Sequence, residues 1–117
     1  MHYPTSEHLY IALKTDDLED RRKISLLPTP QEAKKYGQSV RLIFDWNNLR
    51  YPMMYKACWL KFYQNLDLWK LLDATGDKRL EETNDWDDRF WGVVDGSGLN
   101  NLGNVLMEVR TNYRLKI

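Results

Sequence analysis

Apolar positions recur at helical spacing through most of the chain. In PTSEHLYIALKT, Leu9, Ala12 and Leu13 fall three and four residues apart, which places them on one helix face, with Thr5 or Ser6 available as N-cap and Glu7 in the first turn. DDLEDRRKISLL reads as a second short helix that ends before Pro28 and Pro30. TPQEAKKYG is a third, with Thr29 as cap, Pro30 at the first helical position and Gly37 as terminator. VRLIFDWNNLR opens on bulky and alternating apolar residues and suggests a short strand, followed by a turn or helix entry at Asp45-Trp46-Asn47-Asn48. Pro52 fits the start of PMMYKACWLKFYQN, a helix presenting Met53, Ala57, Leu60 and Gln64 on one face. LDLWKLLDATG forms a separate helix closed by Gly76, KRLEETN suggests a second strand, and LNNLGNVLMEVRTNY carries Leu99, Leu102, Val105, Leu106 and Val109 as a helical stripe. The expected fold is α+β: one helix-rich domain over residues 1–117 with a few short strands.

Composition narrows the function classes. With 117 residues there is room for one domain and one sizeable core. The 17 basic and 17 acidic residues balance, which argues against binding nucleic acid through a broad basic face but leaves a modified end or single base possible. The lone Cys58, among Met54, Ala57 and Leu60, reads as a small buried hydrophobe, so no disulfide framework is expected. No apolar run has membrane length and no charged-then-apolar leader is visible, so the expected location is cytoplasmic, with no membrane partner.

Chemistry concentrates in DRFWGVVDGSGLNNLG, residues 88–103, which has more glycine, aromatic and acidic residues than a turn requires. Gly96 and Gly98 before a helix starting near Asn100 allow backbone N–H groups to approach a phosphate or sugar; the alternative is a plain turn, since the lysine and spacing of a P-loop are missing. Asp88 lies three residues before Trp91, so a carboxylate and an indole share one wall of a pocket, or else a capping Asp stands beside a core Trp. Trp46, one of five tryptophans, either stacks on a planar ligand or fills the core. Glu7 and Lys14 are seven residues apart and return to one helix face; they form either a solvated surface pair or a carboxylate beside an amine of lowered pKa able to attack a sugar aldehyde. His2 and His8 have no third partner at metal-ligand spacing, so no metal site is assigned.

Taken in order, YPTSEHLYIALK (3–14), Trp46 in DWNNLR, KFYQNLDLWKLLDATGDKRLEE (61–82), DRFWG (88–92) and GSGLNNLGNVLMEVR (96–110) resemble the NADAR family of YbiA-like N-glycosidases. The resemblance covers nearly the whole chain. It implies hydrolysis of the bond between ribose and a nitrogen base or amine, in a phosphoribosyl conjugate such as a riboflavin-pathway intermediate or in ADP-ribosylated guanine, on a small molecule or on ADP-ribosylated nucleic acid. It implies catalytic roles for Glu7, Asp88 and Lys14, the last as Schiff-base nucleophile, and substrate binding by Trp46, Trp91, Gly92, Gly96, Gly98 and Asn100, with no cofactor. Two departures from the family pattern are expected to matter: the strand-and-loop region with an S-N-F motif that usually precedes the matched segment is not expected in this chain, and Val93 and Val94 occupy positions where the family tends to place a further glycine. The competing expectation is a non-catalytic module that binds ADP-ribose or a related nucleotide. Oligomeric state is left open by the sequence.

Overall fold

The computed structural model describes residues 2–116, which fall into two compact units, one reaching to Lys61 and the other beginning at Phe62. The first holds α1 (Ser6–Leu13), α2 (Leu18–Leu26), α3 (Pro30–Gly37) and most of α4 (Trp46–Gln64). The second holds α5 (Leu66–Asp73), a long loop and α6 (Asn101–Lys116).

The first three helices begin where their caps place them. Thr5 Oγ1 accepts the N–H of His8 at 3.2 Å, Asp17 Oδ1 that of Asp20 at 3.0 Å and Thr29 Oγ1 that of Glu32 at 3.2 Å. The Thr29 hydroxyl also donates to Glu32 Oε1, and Pro30 occupies the first helical position as expected. α1 packs against both α2 and α3. Tyr10, Ile11, Ala12, Ile24 and Ala33 are buried there, and Trp46, Met54, Ala57 and Cys58 are buried along α4. Full burial of Ile11 and Ile24 stabilises the unit by about 1.5–3 kcal/mol each. Arg21 Nε closes the end of α1 by donating to the carbonyls of Ala12 and Thr15.

Gly37 does not end α3 as a left-handed terminator. It lies within the helix, buried against Ile11, and Gln38 is the C-cap. Its lack of a side chain is what lets α3 approach α1. Pro52 is likewise internal: α4 starts six residues earlier, behind Asp45, and runs through the proline, which is exposed and gives up one backbone hydrogen bond. The buried face of α4 carries Trp46, Met54, Ala57 and Cys58, so it is rotated from the expected Met53, Leu60 and Gln64 stripe and shares only Ala57 with it.

In the second unit, Trp69 of α5 stacks on Tyr113 of α6 with ring centroids 4.0 Å apart. Arg114 donates to Asp73 Oδ1 and to the carbonyls of Asp73 and Gly76, and Arg110 donates to Thr75 Oγ1, so α6 closes the C-terminal end of α5. The expected stripe of α6 is buried at Val105 and Val109, joined by Gly103 and Arg110, while Leu99 precedes the helix and is exposed.

The helix-rich half of the fold expectation holds, but the strands do not form. Among the described residues, pairing is confined to two isolated bridges, Thr83 with Val93 and Val94 with Ser97. KRLEETN contributes one bridging residue, and VRLIF finds no ladder; Ile43 instead donates its N–H to the carbonyl of Lys14 at 2.7 Å. A strand needs a neighbouring backbone, which an apolar run cannot supply for itself. Among the described residues, no helix is long and apolar enough to cross a membrane.

A Cβ at position 37 would fall 2.6 Å from Cγ2 of the buried Ile11. Gly37→Ala is expected to lower the unfolding free energy by about 1–3 kcal/mol in urea titration. Lys35→Ala, at an exposed position of the same helix, is expected to change it by less than about 0.5 kcal/mol.

Candidate functional site

The first cluster is built on α1. His8 is fully buried, with Nε2 2.9 Å from the carbonyl of Leu27 and Nδ1 2.6 Å from Thr5 Oγ1. The carbonyl can only accept, so Nε2 carries hydrogen and Nδ1 takes the threonine hydroxyl proton in the tautomer that satisfies both contacts. This ring ties the first turn of α1 to the segment between α2 and α3. It also sets the rotation of the helix, because Glu7, Ile11 and Lys14 share a face at i, i+4 and i+7. Ile11 is buried under Gly37, which leaves Glu7 and Lys14 half-buried on either side of that contact.

Their electrostatics follow from this placement. Loss of hydration raises the Glu7 carboxyl above its ordinary pKa, and the positive charges of Lys34 and Lys14 pull the other way. Loss of hydration lowers Lys14, the Glu7 carboxylate opposes the shift, and Lys34 reinforces it. Among the described residues, ion pairs form at Arg79–Glu81, Arg89–Asp87 and Arg114 with Asp73 and Asp77, whereas Glu7 and Lys14 influence each other without an ion pair between them. Lys14 Nζ stands 5.7 Å from the centroid of the Tyr10 ring, and Tyr10 in turn packs on Trp46 at 5.5 Å. Trp46 is 7% exposed, so its ring backs Tyr10 within the core and does not form an open platform. Burial also raises the Cys58 thiol to about 11, which keeps it protonated and inert as a nucleophile at neutral pH.

The second cluster is the loop before α6. Asp88 Oδ1 accepts the N–H groups of Phe90 at 3.2 Å and Trp91 at 2.9 Å, the cap of a tight turn. Asn84 holds that turn from below: its Oδ1 accepts the Asp88 N–H and its Nδ2 donates to the Asp88 carbonyl. Trp91 is half-buried and meets Phe90 edge-on at 4.7 Å. Gly92 is buried, where a Cβ would strike the Glu82 carbonyl and the Asn84 side chain. Val94 and Ser97 exchange two backbone hydrogen bonds across Asp95-Gly96, both at positive φ (50° and 79°), the combination a type I′ turn requires. Gly98, at φ 151°, lies directly over the backbone of Gly92 and Val93, where no side chain fits.

This loop differs from the expected phosphate cradle. The N–H groups of Leu99, Asn100, Asn101 and Leu102 donate to the carbonyls of Arg89, Gly92, Phe90 and Trp91 respectively. The amides of these four residues are therefore consumed within the chain. Asn100 is buried at φ 54°, its Oδ1 accepting the Glu82 N–H and its Nδ2 donating to the Leu80 carbonyl, both at 2.9 Å. Its side chain fastens residues 80–82 to the loop; Gly96 and Gly98 remain exposed.

Glu7, Lys14 and Trp46 thus belong to the first unit, and Asp88, Trp91, Gly92, Gly96, Gly98 and Asn100 to the second. Three contributors escaped the sequence reading. His8 was set aside as a metal ligand that lacked partners, although Thr5 three residues earlier offered it a local hydroxyl. Asn84 could be found only as an Asn four residues before Asp88. Lys34 carries no local signal, because its relation to Glu7 and Lys14 depends on how α3 packs.

The NADAR domain family matches residues 1–114. The chain belongs to the NADAR family. It is 37% identical to the N-glycosidase YbiA of Shigella boydii over 97% of this chain and 72% of that protein. A riboflavin biosynthesis protein of Vibrio vulnificus is 39% identical over 92% of this chain, which spans only 30% of that protein's length. The NMR structure of Escherichia coli YbiA superposes with a TM-score of 0.87 at 35% identity, covering 97% of this chain and 69% of that one. NADAR membership carries the enzyme class of the named N-glycosidases, hydrolases of N-glycosyl compounds.

The lowered pKa of Lys14 gives a direct check. Its amine becomes neutral at lower pH than an ordinary lysine, so the midpoint of its pH–reactivity curve in reductive methylation, followed by peptide mass spectrometry, is expected below the usual lysine range. Glu7→Gln removes the carboxylate that favours the ammonium, so the midpoint is expected to move lower still.

Proposed function

We propose that the chain hydrolyses the N-glycosidic bond between ribose and a nitrogen base or amine in a phosphoribosyl or ADP-ribosyl conjugate. The observation that carries this reading is the pair Glu7 and Lys14: one face of α1 holds a carboxyl that keeps its proton more readily than usual and an amine that gives one up more readily. Those are the properties needed by an acid at the leaving nitrogen and a nucleophile at the anomeric carbon.

Glu7 donates its proton to the departing nitrogen as the C1′–N bond breaks, its electron pair staying on that nitrogen. Neutral Lys14 Nζ supplies the pair that forms the new C–N bond to C1′. The attacking nitrogen then passes one proton to the ring oxygen, which departs as a hydroxyl as the freed lone pair forms a C=N bond to C1′. The Glu7 carboxylate takes a proton from water as that water adds to C1′, and Lys14 leaves as the amine when the sugar aldehyde is released. Positive charge that develops at C1′ on the way is stabilised by a carboxylate.

Asp88 and Trp91 occupy positions that the family resemblance associates with activity, and we assign them to the substrate. Because Asp88 Oδ1 is committed to the turn, its Oδ2 is the atom left for that role. Trp91, half-buried, supplies a stacking surface for the leaving base. Trp46 supports Lys14 through Tyr10. Gly92, Gly96, Gly98 and Asn100 act by shaping the loop that carries Trp91. Named relatives include N-glycosidases and riboflavin biosynthesis proteins, and the family resemblance makes ribosylamino-pyrimidines and ADP-ribosylated guanosine the first substrates to try.

The test is chromatographic release of free base from both substrates. Wild-type turnover is expected, with Glu7→Gln and Lys14→Met each lowering kcat by about 10²–10⁴-fold while the folded state is retained. A wild-type chain that binds ADP-ribose in calorimetry yet releases no base from any substrate would instead be a nucleotide-binding module.

A further inference from the structure

In the loop expected to hold a phosphate, the amides of Leu99, Asn100, Asn101 and Leu102 are bonded to carbonyls of the same loop, which leaves a role for another group at an anionic end of the substrate. The first unit offers one. Helices α1 and α3 meet where Gly37 sits on Ile11. On α1, Ile11 stands one turn after Glu7 and one turn before Lys14. On α3, Lys34 stands one turn before Gly37 and beside the buried Ala33, so it leaves the helix on the side that faces α1. Lys34 is nevertheless exposed, and its charge is felt by both Glu7 and Lys14.

Among the described residues the Lys34 ammonium has no hydrogen bond or ion pair. Two acids of the neighbouring helical surface have partners of their own: Glu32 accepts from Thr29, and Asp20 from the Tyr36 hydroxyl at 2.7 Å. The face therefore presents two cationic side chains against one carboxylate. In the form in which the reaction begins, with Glu7 protonated and Lys14 neutral, Lys34 is the charge that the three groups keep.

We propose that Lys34 is the specificity-determining residue for a phosphate ester on the ribose side of the substrate. It acts as a point charge on a flexible stem at the open edge of the Glu7–Lys14 face and selects phosphorylated N-ribosyl conjugates over the same conjugates without phosphate. This rests on the function proposed above. The phosphate is either a 5′-monophosphate or the pyrophosphate of an ADP-ribosyl group, which share the oxyanion chemistry a lysine reads.

The experiment measures kcat/KM of wild type, Lys34→Gln and Lys34→Arg on three ribosylamino conjugates: unphosphorylated, 5′-monophosphate and ADP-ribosyl. The ratio of kcat/KM for phosphorylated over unphosphorylated substrate is expected to fall about tenfold in Lys34→Gln, through KM, and to recover largely in Lys34→Arg. Whichever phosphorylated conjugate shows the larger fall identifies the source. A ratio unchanged in Lys34→Gln, with all three substrates still turned over, overturns the proposal and leaves the glycosidase reading standing. Should wild type turn over none of them, the glycosidase reading fails, and calorimetry with ribose 5-phosphate decides the role of Lys34. About tenfold weaker binding by Lys34→Gln supports it; equal binding, or no binding by wild type, overturns it.

Discussion

Two opposite charges are held half out of water, two turns apart on one helix, with no direct ion pair to offset the lost hydration. Everything proposed for the chemistry depends on that constraint. Had Glu7 and Lys14 met at i, i+4 spacing on an exposed face, they would form an ordinary surface pair worth a few tenths of a kcal/mol, with near-normal protonation. Instead the Gly37–Ile11 contact brings α3 over the space between them, and burial moves the two groups in opposite directions. His8 keeps α1 in register for this. Its imidazole spends both nitrogens on structural partners, and a side chain without that pair of contacts leaves the Leu27 carbonyl without this donor.

The second unit shows the complementary economy. Its loop is tied to itself at several points: the Asp88 turn, the Asp95-Gly96 turn, the Asn100 clamp and the four donors from Leu99 to Leu102. A loop held in this way presents Trp91 and the free edge of Asp88 with little conformational freedom, which favours preorganised contacts. Gly92 and Gly98 serve this close packing, most plainly at Gly98, and Val93 and Val94 are buried within it.

What could be read from the sequence was short-range. The caps at Thr5, Asp17 and Thr29 act within three residues, and these helices start accordingly. The expected strands failed because pairing is non-local: the apolar run before Phe44 carries no information about whether another backbone lies beside it. Gly37 and Pro52 were misplaced for a related reason, since a residue that ends or starts a helix on local grounds is overridden when tertiary burial favours continuation. Asn100 was expected to bind substrate and is bonded to its own chain; its signal, a polar residue at a helix entrance, does not distinguish a ligand contact from such a clamp. The Glu7–Lys14 spacing was visible, whereas the burial that gives it chemical meaning was not, because it is supplied by α3. The family resemblance is carried by combinations such as TSEH with its lysine and D-x-x-W-G, and membership follows from the match over residues 1–114.

The central claim is that Lys14 forms a covalent bond to the sugar during turnover. Borohydride added to the wild-type enzyme turning over a ribosylamino substrate is the most direct measurement, followed by peptide mass spectrometry of the chain. The account predicts a reduced pentose adduct on the peptide containing Lys14, absent without substrate and absent from Lys14→Met. Full turnover by Lys14→Met, or an active wild-type enzyme whose only adducts fall on other lysines, would contradict it.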